Sequence, residues 1–227
     1  MSESILRALM QLFALVAKVE GVSKDGRSIV KLFLKQQLSA DLVQDYLNIF
    51  EEYLELHQKN STEDGKARKK TSVNSVKVLR ICTQINEELK QNQKIVVLIR
   101  LMEFLFSEEY EEQEFEFAST VASTFNIPNE EFLLAFNFLN VNNSPILDHA
   151  NCLLISDQKA TLSLAKNITD IHIKGYLKVL KLDSTHVYLA VNHCEEAMYI
   201  NGQIMARNRA YFLRHGSSIR NTKVNPI

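Results

Sequence analysis

The chain has 227 residues, of which 46% are hydrophobic and 23% charged, and its formal net charge is −1. That is enough apolar chain for one large domain or two small ones with buried cores, while the balanced charge argues against a general nucleic-acid binder, leaving room for local charge clusters. Three widely spaced cysteines, Cys82, Cys152 and Cys194, fit reduced thiols in the cytoplasm better than a disulfide framework. No basic leader precedes an apolar core, so no signal peptide is expected. Gln11, Lys18 and Glu20 interrupt the first greasy run, and Arg100 and Glu103 the second. Neither run reaches the roughly 18 apolar residues of a spanning helix.

The prolines are Pro128, Pro145 and Pro226, so long helices are permitted before Pro128. Leu6, Leu9, Met10, Phe13, Val16 and Ala17 recur at three- and four-residue spacing and predict a helix, widened by Leu12 and Leu15. Gly21 ends it and Ser23 caps a second helix carrying Ile29, Val30, Phe33, Leu34 and Leu38. Ser39 and Asp41 open a third, with Leu42, Val43, Tyr46, Leu47, Phe50 and Leu54 facing inward. Gln58–Lys70 is polar and predicts a mobile loop. Its cations Lys66, Arg68, Lys69 and Lys70 are either a solvated connector or a contact for an acidic partner or lipid headgroup.

Ser72 or Asn74 caps the next helix, with Val76, Leu79, Ile81, Cys82, Ile85 and Leu89 as its inner face. Gln91–Phe106 follows, then a helix from about Glu111 to Phe125. After Pro128, the carboxylates Glu130 and Glu131 favour the first turn of a last helix on Phe132, Leu133, Phe136 and Leu139. Seven helices are expected.

From Cys152 the hydrophobic period shifts towards two. Cys152–Ile155, Thr161–Leu164, Ile168–Ile173, Tyr176–Leu182, Val187–Val191, Met198–Ile200 and Tyr211–Leu213 predict short strands. Lys174-Gly175, Asp183-Ser184, Asn201-Gly202 and His215-Gly216 supply the turns, and Asn-Gly is the strongest short hairpin signal. A small antiparallel sandwich follows. The chain stops at Asn225-Pro226-Ile227 with no closing element, as expected of a piece of a longer protein.

The helical half contains an outline twice: a greasy helix, an elbow, an amphipathic helix, a corner and a third helix, over Leu9–Phe50 and Gln91–Phe138. The elbows are Ala17-Lys18-Val19-Glu20-Gly21 with Ser23, and Ser107-Glu108-Glu109 with Glu114. This arrangement resembles the TerB-like fold of tellurite-resistance proteins and of a membrane-anchored co-chaperone. The resemblance implies an all-helical module, with Glu20, Glu108 and Glu114 as candidate ligands for a divalent cation. From the residues alone, solvated helix-terminal carboxylates are the default.

Lys70–Ile127, including Thr71-Ser72-Val73-Asn74-Ser75-Val76 and Gln93-Lys94-Ile95-Val96-Val97-Leu98, is similar to the N-terminal region of large bacterial ABC-type ATPases. There a TerB-like domain precedes a small β domain, an ATP-binding cassette and a membrane part. Tyr199-Ile200-Asn201-Gly202-Gln203-Ile204 and Tyr211–Arg220 resemble the tail of a forkhead-associated domain. The Gly-Arg and Ser-x-x-His of its phosphothreonine site do not occur between Asn151 and Val191.

No Gly-x-x-x-x-Gly-Lys-Ser/Thr loop is present to cradle phosphates. No histidines form an H-x-x-x-H or H-x-H pair, and no Gly-x-Ser-x-Gly elbow occurs. His193 and Cys194 are adjacent, a spacing that sends strand residues to opposite faces. Arg207, Arg209, Arg214 and Arg220 make a basic β end, read as solubilising surface or as a contact for anionic lipid or an acidic partner.

The sequence therefore predicts an α+β chain: a TerB-like helical bundle over 1–140 and a forkhead-associated-like antiparallel β-sandwich over 148–227. Its expected role is a non-catalytic, cytoplasmic regulatory or docking region at the head of an ABC-type ATPase, without cofactor or nucleic acid. The expected partners are another protein or the downstream ATPase and membrane domains of the same polypeptide. Peripheral contact with an anionic membrane surface is a further expectation. A stress-linked divalent-metal-binding domain is the alternative.

Overall fold

Seven helices precede eight strands in the computed structural model, which describes residues 2–17, 22–63, 67–107, 112–140 and 147–222, without the side chains of 58, 60–63, 67–75 and 113. The chain divides into two compact units, Met1–Asn129 and Glu130–Ile227.

The first unit holds α1 (Glu3–Val16), α2 (Lys24–Gln37), α3 (Ala40–Glu63), α4 (Ala67–Glu88), α5 (Gln91–Ser107) and α6 (Glu112–Thr124). Serine hydroxyls start the first two helices by satisfying orphan amides. Ser2 Oγ accepts from the Ile5 amide at 3.3 Å, and Ser23 Oγ accepts from the Gly26 amide at 3.0 Å. Phe13 of α1 packs against Phe33 of α2 and Phe104 of α5, with ring centroids 5.8 and 5.7 Å apart. Phe50 of α3 meets Phe104 edge-on at 6.4 Å. Tilted and edge-to-face rings at these separations add attraction beyond the area they bury.

Eleven of the 17 residues of α5 are buried, Arg100 and Glu103 among them. A desolvated guanidinium must be paired. Arg100 Nη1 donates to Glu103 Oε2, one turn along, and Nη2 reaches Gln36 Oε1 at 3.4 Å.

Three expectations change here. Gln58–Lys70 is mostly helix: α3 continues to Glu63 and α4 already begins at Ala67. Gln, Lys, Glu, Ala and Arg are good helix formers, so polarity alone did not make a loop. Ser72 and Asn74 consequently lie inside α4 rather than at its cap. Val76, Leu79 and Leu42 are exposed, because the buried stripes run through Val78, Ile81, Cys82, Ile85 and Leu89 on α4 and through Val43, Tyr46, Phe50 and Leu54 on α3.

The second unit contains nearly all of α7 (Asn129–Leu139) and the strands β1 (Cys152–Ser156), β2 (Lys166–Thr169), β3 (Tyr176–Leu182), β4 (Val187–Asn192), β5 (Met198–Ile200), β6 (Gln203–Met205), β7 (Ala210–Leu213) and β8 (Ile219–Arg220). Five strands order as β2-β1-β3-β4-β7 and three as β6-β5-β8. All pairings of named strands are antiparallel except β1 with β2. Ile155, Leu177 and Ala190 on one side of the large sheet join Met198, Ile200, Met205 and Ile219 of the small sheet in a shared core.

Asn201 and Gly202, at φ 49° and 82°, make the tight turn that sets Ile200 opposite Gln203. At Gly175 (φ +98°) a Cβ would stand 2.8 Å from the His193 carbonyl oxygen, so glycine is required. Thr161–Leu164 is not a strand. The amides of Ser163, Leu164 and Ala165 instead donate to the Asp148 carboxylate at 2.8 Å each, and these three bonds hold its carboxyl below the usual carboxylate range.

Helix α7 is fastened at both ends to the sheet. Glu131 in its first turn accepts from the Ser184 amide at 2.6 Å and from the Ser184 hydroxyl at 2.5 Å. At the other end, buried Lys178 donates from Nζ to the Phe138 carbonyl at 2.6 Å and sits 4.9 Å from the centre of the Phe138 ring. A cation there meets the negative end of the helix. Burial nevertheless pushes the Lys178 ammonium down to about 8.

Because the folded pKa lies below the unfolded one, the unfolded chain binds a proton that the folded chain releases between about pH 8 and 10.5, and stability rises with pH across that window. In urea denaturation at a series of pH values, the stability of the wild type minus that of Lys178→Met should rise by about 3 kcal/mol between pH 7.5 and 10.5. A difference independent of pH would contradict a desolvated ammonium.

Candidate functional site

The apolar spacing of α2 determines what its outer face carries. Gly26, Ile29, Val30, Phe33 and Leu34 turn inward, so Lys24, Arg27 and Lys31, at intervals of three and four residues, share the opposite side. On α3, burial of Val43, Tyr46, Phe50 and Leu54 leaves Gln44, Asn48 and Glu51 beside that row. Between the helices runs an open groove of about 470 Å³, lined by these residues with Ser28 and with half-buried Leu47.

One ion pair crosses the groove. Arg27 Nε donates to Glu51 Oε1 at 2.6 Å and Nη2 to Glu51 Oε2 at 3.1 Å, while Nη1 donates to the Val22 carbonyl. The two side chains remain 44% and 42% exposed, which limits the pair to about 0.2–1 kcal/mol of stabilisation. Neither Lys24 nor Lys31 makes an ion pair among the described residues. Three cations against one carboxylate give the groove an excess of two positive charges. Chemically it offers ammonium and guanidinium donors with amide and hydroxyl groups, set among aliphatic side-chain stems and Leu47, and the cationic donors suit carboxylates.

No protein-family model matches the sequence, and no curated protein or solved structure matches it.

Glu20 and Glu108 lie outside the described residues, and Glu114 is half-buried in the first turn of α6. Among the described residues no three His, Cys, Asp or Glu side chains come together as a metal site. Lys66 also lies outside them; Arg68, Lys69 and Lys70 belong to α4, with their side chains undescribed.

The four β-end arginines occupy different places. Arg207 bridges to Asn192 at one end of β4, and Arg214 follows Leu213, which pairs with Tyr188 near the other end. Arg220 lies on β8 opposite Tyr199, and Arg209 is half-buried just before β7. Lys24, Arg27 and Lys31 were missed, although their spacing on a capped helix was the signal.

His193 and Cys194 part as adjacent residues in extended chain do. Cys194 joins the core between the sheets, and its thiol is pushed up to about 11, first by burial. His193 is buried on the other side, its ring stacked on Tyr176 at 4.5 Å. Its Nε2 has no hydrogen-bond partner among the described residues. Burial first, then the nearby Lys178 charge, lowers its pKa to about 4.

The unfolded histidine therefore takes up a proton that the folded one refuses between about pH 6.5 and 4, and stability falls on acidification through that window. Relative to His193→Gln, the wild type should lose about 3 kcal/mol from pH 7 to pH 4 in denaturant titrations. Parallel pH curves for the two proteins would show that His193 titrates normally.

Proposed function

We propose that this chain is a non-catalytic interaction module whose helical unit receives an acidic helical segment of a protein partner along the α2–α3 groove. The observation that carries the reading is the row Lys24, Arg27 and Lys31 beside Gln44 and Asn48, a local positive excess in a chain whose formal charge is −1. From Lys24 to Lys31 is two helical turns, about 10 Å. Carboxylates repeating every three or four residues on a second helix share that spacing, and a helix laid in a groove is a recurrent mode of peptide recognition.

The placement of such a module at the cytoplasmic head of an ABC-type ATPase is supported by the resemblance of Lys70–Ile127 and of the Asn201-Gly202 region. On this reading the partner is another protein or the ATPase and membrane parts of the same polypeptide. No helix among the described residues is long and apolar enough to cross a membrane.

The test uses a fluorescently labelled helical peptide with glutamates at positions i, i+3 and i+7, titrated with the chain at low and moderate salt. Binding should weaken as salt rises. The double variant Lys24→Glu/Lys31→Glu should lose at least about tenfold in affinity, since two attractions become repulsions. Equal binding by the variant, or by a peptide carrying lysine in place of glutamate, would overturn the reading.

A further inference from the structure

The Arg27–Glu51 pair has the geometry of a filled site. A guanidinium presents planar, parallel donors that match the two oxygens of a carboxylate, and Glu51 takes both at 2.6 and 3.1 Å. The remaining Arg27 amino group is tied to the Val22 carbonyl, at the chain entry to α2. That bond and the helix backbone fix the fork midway along the cationic row, one turn from Lys24 and one from Lys31. Glu51 itself comes from α3, on the far wall of the groove.

We infer that the Arg27 fork is the carboxylate subsite of this groove and that Glu51 is its resident internal ligand, exchanged for a glutamate or aspartate of the docking segment. This inference rests on the docking reading above. Two features make exchange feasible. Both side chains are more than two-fifths exposed, so an incoming carboxylate can approach without unfolding the helices. An ion pair at that exposure is weakly held and opens easily. Once displaced, Glu51 carries its charge into water, and the fork regains two hydrogen bonds from the partner. In the absence of a partner Glu51 lowers the positive potential of the groove and blocks its best-defined donor. Weakly acidic segments then compete poorly, and segments with three or more matched carboxylates are favoured.

The experiment compares the wild type, Glu51→Gln, Arg27→Gln and the double variant in the same titration with the glutamate peptide, with circular dichroism and thermal melts run on each to establish folding. Glu51→Gln should bind about three- to tenfold more tightly, chiefly because the fork is vacated; the unit of positive charge the groove gains adds only a small part, the same in any background. In the Arg27→Gln background the same substitution should give little gain. If Glu51→Gln binds no better than the wild type while the wild type binds, Glu51 is only a brace between α2 and α3 and the inference falls. A gain undiminished in the Arg27→Gln background would assign the effect to net charge alone and would likewise overturn it. Absence of binding by both the wild type and Glu51→Gln would remove the docking reading and this subsite with it. Should Glu51→Gln melt before titration, Glu51→Ala is measured in its place, against the same outcomes.

Discussion

The contact of Phe104 with Phe13 and Phe50, with Phe33 packed behind Phe13, is the junction from which the helical unit is built. Each ring comes from a different helix, so α1, α2, α3 and α5 are fixed by a few aromatic contacts of defined geometry. Once Phe33 is committed inward, the 100° advance per residue forces Lys24, Arg27 and Lys31 outward together. Phe50 does the same for Gln44, Asn48 and Glu51 on α3. The groove is thus a consequence of how the core packs, and its charge comes from residues the core cannot accept.

The two units bury charge differently. In α5, Arg100 is fully buried and answered within one turn by Glu103, with Gln36 beside it. Such a pair contributes little net stability, because the attraction only offsets desolvation, but removing one partner would leave a naked charge in the core. Lys178 is buried with a helix-end carbonyl and an aromatic face instead of a carboxylate. Neutral partners compensate less well, which is why its ammonium is driven down to about 8. Together with Glu131 at the opposite end, that contact explains how α7 lies on the sheet of the second unit.

Much of the architecture was legible from spacing. The stripe through Leu6, Leu9, Met10 and Phe13 gave α1, Ser23 gave the start of α2, and Asn201-Gly202 gave the β5–β6 turn, because each rests on local chemistry within a few residues. The failures were of another kind. Gln58–Lys70 looked like a loop by polarity, but its residues favour helix. Val76 and Leu79 looked buried by type, yet fall off the stripe that α4 turns towards α1 and α6. Thr161–Leu164 alternates like a strand, but its amides are taken by Asp148, a tertiary contact no local pattern announces. Of the proposed docking groove, the row on α2 was present in the sequence; the wall supplied by α3 was not, since nothing local pairs Arg27 with Glu51 across 24 positions.

The most direct test is an amide NMR titration of the intact chain with the glutamate-bearing helical peptide. The account predicts that the largest shifts fall on α2 and α3 around Lys24, Arg27, Lys31, Gln44, Asn48 and Glu51 and shrink as salt is raised. Shifts centred on Arg207, Arg214 or Arg220 in the second unit, with α2 and α3 unmoved, would contradict it.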